Sequence, residues 1–187
     1  MSSTLTRHRF TVAQFEEMVE AGILTENDRV ELLRGEVVEK IPIGPAHAAS
    51  VNRLNRLFQL RLGTAAIVAV QNPIQAGDSE PEPDLALLRP RADYYSKATP
   101  SGDDVLLVVE VSDTTLETDR TLKCEIYAEA GFPEYWIVNL VENCLEVHRD
   151  PSPSGSYAWT QRLDIESSVA PLSFPDYQFP VMELISL

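Results

Sequence analysis

The run "VLLVVEVS", residues 105–112, constrains this chain more than any other stretch. It is short, β-branched and bounded by turn formers, which predicts a central strand buried on both faces. Glu110 is its one charged residue. An ionised carboxylate in such a strand costs several kcal/mol unless a cation, a metal or hydrogen bonds compensate it. Alternation sets Glu110 on the face of Val108 and Ser112, opposite Val109 and Val111. It also falls near the C-terminal end of the strand, where α/β sheets place their ligand sites. The alternative is a carboxylate paired with a structural arginine.

A second carboxylate repeats the anomaly. In "PEPDLALL", residues 81–88, Asp84 stands at the mouth of another apolar strand. At the edge of a core it needs a partner. The third residue is Lys123, in a helix predicted over 113–130 that ends at Gly131, with Pro133 just beyond. Lys123 borders the inward stripe of Leu122, Ile126, Tyr127 and Ala130. Asp119 precedes it by one turn, an i, i+4 acid–base pair that on most helices is a solvated surface pair. This helix follows the Glu110 strand directly, so its first turns run back past the strand's end and Lys123 can reach the carboxylates.

The remaining elements give a helix at 11–24 with Thr11 and Gln14 as a capping box, and a hairpin at 29–42 turning at Arg34-Gly35. A helix over 44–62 carries an apolar stripe of Val51, Leu54, Phe58 and Leu62, with His47 on the same face. A strand follows at 65–76, broken at Gln71-Asn72-Pro73, and then the strand 84–89. Beyond the 113–130 helix come the strands "EYWIVNL" and "CLEVHR", a flexible surface loop "DPSPSGS", the strand "YAWTQRL" and a tail of irregular strand and helical turn. The order implies an α/β or α+β class, a mixed central sheet flanked by helices. One domain is expected over 1–187, with 1–28 as an N-terminal helical extension and 150–187 as a C-terminal strand and tail.

The formal net charge of −14 weighs against a broad basic surface for nucleic acid and leaves room for carboxylates that hold a divalent cation. No apolar run is long enough for a membrane span, and "MSSTLTRHRFTVAQFEEM" lacks the apolar segment of a signal peptide. Cys124 and Cys144, at no metal-like spacing, are expected as reduced core residues of a cytoplasmic protein.

Two carboxylates on adjacent strands can hold Mg²⁺ or Mn²⁺, with phosphate oxygens and waters completing the shell. A nearby lysine can orient or activate the attacking water and offset charge growing on the phosphate. Asp84, Glu110 and Lys123 are thus the parts of a metal-dependent phosphodiesterase.

This constellation resembles the PD-(D/E)XK nuclease superfamily, with Pro83-Asp84 as one half of the motif and "VVEVS" as the other. The chain is more closely similar to the Uma-two family of restriction-endonuclease-like proteins. The matching stretches include "RVELLRGEVVEKIPIGPAHAASVNRL", "VQNPIQ", "PEPDLALL" and "DRTLKCEIYAEAGFPEYWIV", within residues 29–149. The resemblance implies a restriction-endonuclease-like mixed sheet flanked by helices and a Mg²⁺- or Mn²⁺-dependent endonuclease acting on DNA. It departs from the superfamily pattern at Ser112, which stands where lysine is expected, so Lys123 would substitute as a migrated lysine. The resemblance further implies a metal contact from the Val111 carbonyl and makes Glu31 a third metal ligand or a water-holding carboxylate. Otherwise Glu31 is a solvent-facing residue of a hairpin strand.

His47 is either a hydrogen-bonded capping residue or a phosphate-contacting or proton-shuttling one. Gln71 and Gln75 are candidates at the same site. Arg53, Arg56 and Arg61 make a modest basic face on the 44–62 helix, the best local phosphate contacts if they are not simply solvated. Trp136 and Trp159 are expected as core or interface aromatics. A homodimer is expected, joined through edge strands near "EYWIVNL" or through the tail "YQFPVMELISL". Two other readings stand beside the enzyme. One is a nuclease-like module that binds nucleic acid or a protein without turnover, and the other is a structural homodimer with a vestigial site.

Overall fold

β5 (Val105–Ser112) is buried along its whole length, Glu110 included, as its mainly apolar run predicts. It lies inside a six-stranded sheet of order β3-β4-β5-β6-β7-β8. The computed structural model describes residues 7–25 and 27–185. The other strands of this sheet are β3 (Ile67–Val70), β4 (Leu85–Leu88), β6 (Glu134–Asn139), β7 (Cys144–Ser152) and β8 (Ser156–Leu163). β5 and β6 run parallel and every other neighbouring pair is antiparallel. Parallel neighbours need a crossover, and here it is a helix over 116–129. The fold is therefore the mixed, helix-flanked α+β sheet expected from sequence.

The crossover helix is not uniform. α3 (Leu116–Thr118) and α4 (Cys124–Glu129) are joined by a π-helical stretch, Asp119–Lys123. Such wide turns recur at functional sites because they re-aim side chains without ending the helix.

α2 (Pro45–Leu62) covers one face of the sheet through Val51, Leu54, Phe58 and Leu62, with α5 (Val181–Ile185) beside it. Proline at its first turn and Gly63 at φ 54° past its last one fix its ends. α4 covers the other face through Ile126 and Tyr127, which pack with Val108 and Tyr135. Each fully buried side chain of this kind contributes roughly 1.5–3 kcal/mol. α1 (Val12–Glu20) has the expected capping box and packs Val12 and Phe15 on Leu32 of a separate hairpin, β1 (Val30–Leu33) and β2 (Glu36–Glu39). That hairpin turns through Arg34 and Gly35, both at positive φ, the backbone a two-residue type I′ turn requires. A short pair, β9 (Ser168–Val169) and β10 (Phe179–Pro180), leads into α5.

Three expectations need correction. The strand expected over 65–76 keeps only Ile67–Val70, because Gln71 adopts φ 51° and turns the chain out of the sheet. The loop expected at 150–156 is largely a continuation of the β7–β8 hairpin, with Pro151 paired to Tyr157. Proline is tolerated there because β7 has no partner on its other side beyond Arg149, which pairs with Glu134 at the start of β6. Finally, "EYWIVNL" is no edge: β6 is buried between β5 and β7, and the edges are β3 and β8.

Candidate active site

Asp84 and Glu110 meet at the C-terminal end of β5. Antiparallel pairing sets Leu85 opposite Val109, so Asp84, one residue before β4, comes level with Glu110. The Asp84 amide donates to Glu110 Oε2 at 3.2 Å. The Val111 amide donates to Asp84 Oδ2 at 2.9 Å. Because a strand residue points its N–H and C=O to the same edge, the Val111 carbonyl lies on the Asp84 side as well. Glu110 is 3% exposed and Asp84 8%.

Lys123 reaches this pair from the π-helical stretch. Its Nζ donates to Glu110 Oε1 at 3.0 Å, and the Tyr127 hydroxyl donates to the same oxygen at 2.7 Å. Glu31 approaches from β1, with Oε1 3.7 Å from Lys123 Nζ and Oε2 accepting the Glu82 amide at 3.1 Å. Glu31 is thus buried rather than solvent-facing, and its carboxylate comes within ion-pair distance of Lys123.

On the other side His47, in the first turn of α2, sets Nε2 at 2.8 Å from Asp84 Oδ1, and the Gln71 amide donates to that oxygen at 3.3 Å. Gln75 lies apart, exposed and paired through its backbone with Pro100. Asp119 does not form the expected pair with Lys123. Its Oδ2 accepts the Ser112 hydroxyl at 2.7 Å and the Thr115 hydroxyl at 2.6 Å. Ser112 therefore anchors the crossover helix to the end of β5.

Burial raises the Glu110 pKa; Lys123 opposes that rise, and Asp84 and Asp119 add to it. For Lys123, burial works against the ammonium. The carboxylates of Glu110, Glu31 and Asp119 outweigh it and hold the pKa above the ordinary lysine value. Lys123 thus stays a cation across the physiological range. His47 follows the same logic: burial lowers its pKa, but the hydrogen bond and charge of Asp84, with Asp113 and Glu110 behind it, raise it on balance. Burial is also the largest cause of the raised Asp119 pKa.

The helical periodicity places Tyr127 only in an apolar stripe. The signal was present: a buried tyrosine needs a partner for its hydroxyl, and Tyr127 stands one turn after Lys123. The basic face expected on α2 is mostly committed elsewhere. Arg53 donates to the Leu184 carbonyl, and Arg61 donates to the Gln178 carbonyl and to Glu183. Trp136 is core, whereas Trp159 lies at the surface beneath the Arg149 guanidinium.

The donor set suits a small hard cation. Asp84 Oδ2 and Glu110 Oε2 each accept a single hydrogen bond and keep a lone pair for a ligand. Among the described residues no three acidic, histidine or cysteine side chains form a ready-made cage, so water or substrate oxygens would have to complete the shell. The cluster lies in a cleft of about 850 Å³ between the sheet's end and the β1–β2 hairpin.

A sheet of this order, with a carboxylate pair and a lysine at its end, defines a restriction-endonuclease-like fold. The chain belongs to the family Uma2, described as "Putative restriction endonuclease", which it matches over residues 12–182. It is also similar to the crystal structure of a "putative nuclease belonging to DUF820 from Anabaena variabilis ATCC 29413". That likeness has a TM-score of 0.73 at 16% identity and covers 95% of this chain and 98% of the other. No curated protein matches the chain. Among the described residues no helix is long and apolar enough to cross a membrane.

Proposed function

We propose that this protein is a metal-dependent endonuclease that hydrolyses phosphodiester bonds of DNA. The observation that carries the reading is the convergence of Asp84, Glu110 and Lys123 in one cleft. Asp84, Glu110 and the Val111 carbonyl would hold Mg²⁺ or Mn²⁺, with Glu31 in an outer, water-holding place. Such a cation, when bound, polarises a phosphoryl oxygen and makes bound water more acidic.

The chain's own residues supply the rest. Lys123 is held as an ammonium, so it donates to the attacking water and to the phosphate and offsets growing charge; it is not a general base. His47 and Gln71 hold the Asp84 carboxylate in one orientation, and Tyr127 does the same for Glu110. Asp119 fixes the helix that carries Lys123.

The activity is proposed for one domain spanning the chain, in a homodimer, in the cytoplasm; the two free cysteines suit that reducing compartment. One observation favours a second reading, a nuclease fold that binds without turnover: among the described residues the cleft carries three cations, Arg29, Lys40 and Lys123, against seven carboxylates.

Incubation of the purified protein with plasmid and oligonucleotide DNA in Mg²⁺, Mn²⁺ or chelator separates the two. Cleavage that needs metal and disappears in Glu110→Gln and Lys123→Ala supports the enzyme, with Lys97→Ala, in an exposed loop, as the control. Cleavage that persists in Lys123→Ala overturns the assignment of the lysine. No cleavage of any substrate under any metal leaves the binding reading.

A further inference from the structure

The cleft carries two further cations, Arg29 and Lys40, away from the carboxylate pair. At the open end of the β1–β2 hairpin the Lys40 amide donates to the Arg29 carbonyl at 2.8 Å, so the two residues lie opposite each other. One step further into the hairpin, Glu31 is paired with Val38 two residues on. Paired strand residues share a face, and faces alternate along a strand. Lys40 is therefore on the Glu31 face, and its ammonium pairs with Glu82, whose amide holds Glu31. Arg29 lines the same cleft and is exposed. Among the described residues no carboxylate lies within ion-pair distance of it, whereas Lys40 and Lys123 both have one.

From this placement we infer that Arg29 and Lys40 form a positioning clamp for a backbone phosphate flanking the one that is cut. The inference rests on the nuclease reading for what is cut, but the clamp itself is a phosphate-binding site. Distance fits the role. Arg29 just precedes β1, at φ 43°, and its backbone lies two residues from Glu31, about 7 Å at roughly 3.3 Å per residue of extended chain. That is on the scale of the spacing between neighbouring phosphates of one DNA strand, so the clamp would meet a phosphate adjacent to the one at the Lys123 end of the cleft. Charge fits as well. Lys123 is already neutralised by Glu110 and Glu31, so in a chain of net charge −14 Arg29 is the cleft's one uncommitted cation among the described residues. Val38, Ile41 and Ile43 add apolar surface to the same cleft, which gives a sugar or base something to rest on.

The alternative location for phosphate is α2, where Arg56 is exposed. Binding of a fluorescent oligonucleotide, measured against salt in Ca²⁺ for the parent, Arg29→Ala, Arg29→Lys and Arg56→Ala, decides between them. The expected result is a loss of about 1 in the slope of log Kd against log salt for Arg29→Ala, the value of one phosphate contact. Arg29→Lys should restore the slope and Arg56→Ala should keep it, while in cleavage assays Arg29→Ala should raise KM. An unchanged slope in Arg29→Ala, or a loss in Arg56→Ala instead, overturns the clamp. If the parent cleaves and Arg29→Ala behaves as the parent, the clamp falls and the nuclease reading stands. If binding depends on Arg29 but nothing is cut, the clamp stands and the nuclease reading falls. A parent that binds no oligonucleotide at all refutes both.

Discussion

Lys123 Nζ lies 3.0 Å from Glu110 Oε1, although the two residues are 13 positions apart on different elements. The resemblance to the nuclease superfamily leads one to expect that ammonium on the strand itself, two residues after Glu110. Here that place belongs to Ser112, which is fully buried and donates to Asp119. A serine at the strand's end ties down the helix, and the helix returns a lysine to the carboxylate.

Removing the ammonium should show both parts of this arrangement. Lys123→Ala leaves a buried carboxylate without its cation, a loss of about 3–5 kcal/mol at neutral pH. The loss should shrink as the pH falls toward the unfolded glutamate pKa, because Glu110 then folds as the neutral acid. Thermal melts of the variant between pH 5 and 8 check this; an equal loss at every pH means that Glu110 is not the partner that matters.

Mn²⁺ or Mg²⁺ should raise the melting temperature. A ligand that binds only the folded state stabilises it by about 2.7 kcal/mol at a hundredfold excess over Kd. Asp84→Asn should abolish the response and raise the stability of the metal-free protein, since it removes repulsion between buried carboxylates. Melting curves with and without metal decide, and a parent that ignores millimolar Mn²⁺ counts against the cofactor assignment.

Tyr127→Phe should cost roughly 1.5–3 kcal/mol, the value of a hydrogen bond to a charged group. It should also weaken metal binding, because Glu110 loses a donor that favours its ionised form. Denaturant titration and calorimetry with Mn²⁺ measure the two effects. A change in stability with no change in metal affinity would make Tyr127 purely structural.

Stability without metal should fall from pH 5 to pH 8. Burial, with Glu16 and Glu82 nearby, raises the Glu80 pKa to about 7. The folded state then keeps a proton that the unfolded chain gives up near 4.5, the ordinary value for this group. Stability from that proton is complete below the unfolded pKa and is lost as pH rises through the folded one. Glu80 Oε2 also has no hydrogen-bond partner among the described residues. Glu80→Gln should therefore flatten the slope and gain at pH 8; an unaltered profile would place the titration elsewhere.

Light scattering at micromolar concentration should give the mass of a homodimer. The tail exposes Leu172, Tyr177 and Met182, apolar surface that a second copy could cover. A monomeric mass ends this expectation, and Met182→Lys should shift the parent toward monomer.

The periodic pattern of this chain carried most of its fold. β5 was legible because a short, β-branched and mainly apolar run bounded by turn formers suits a buried strand, and α2 because its stripe repeats at helical spacing. Asp84 and Glu110 were legible for the opposite reason: each breaks such a pattern, and a buried charge has to be compensated. What sequence left open was which partner each residue meets. The pairing of Asp119 with Ser112 and Thr115 rather than Lys123, the turn of Glu31 toward Lys123, and Tyr127's place on Glu110 depend on distances between elements. The π-helical stretch adds to this, since it changes which residues of the helix face the sheet. Local sequence dictates period and burial; the meeting of five elements at one strand's end is set by packing across the whole chain, and only the tertiary structure decides it.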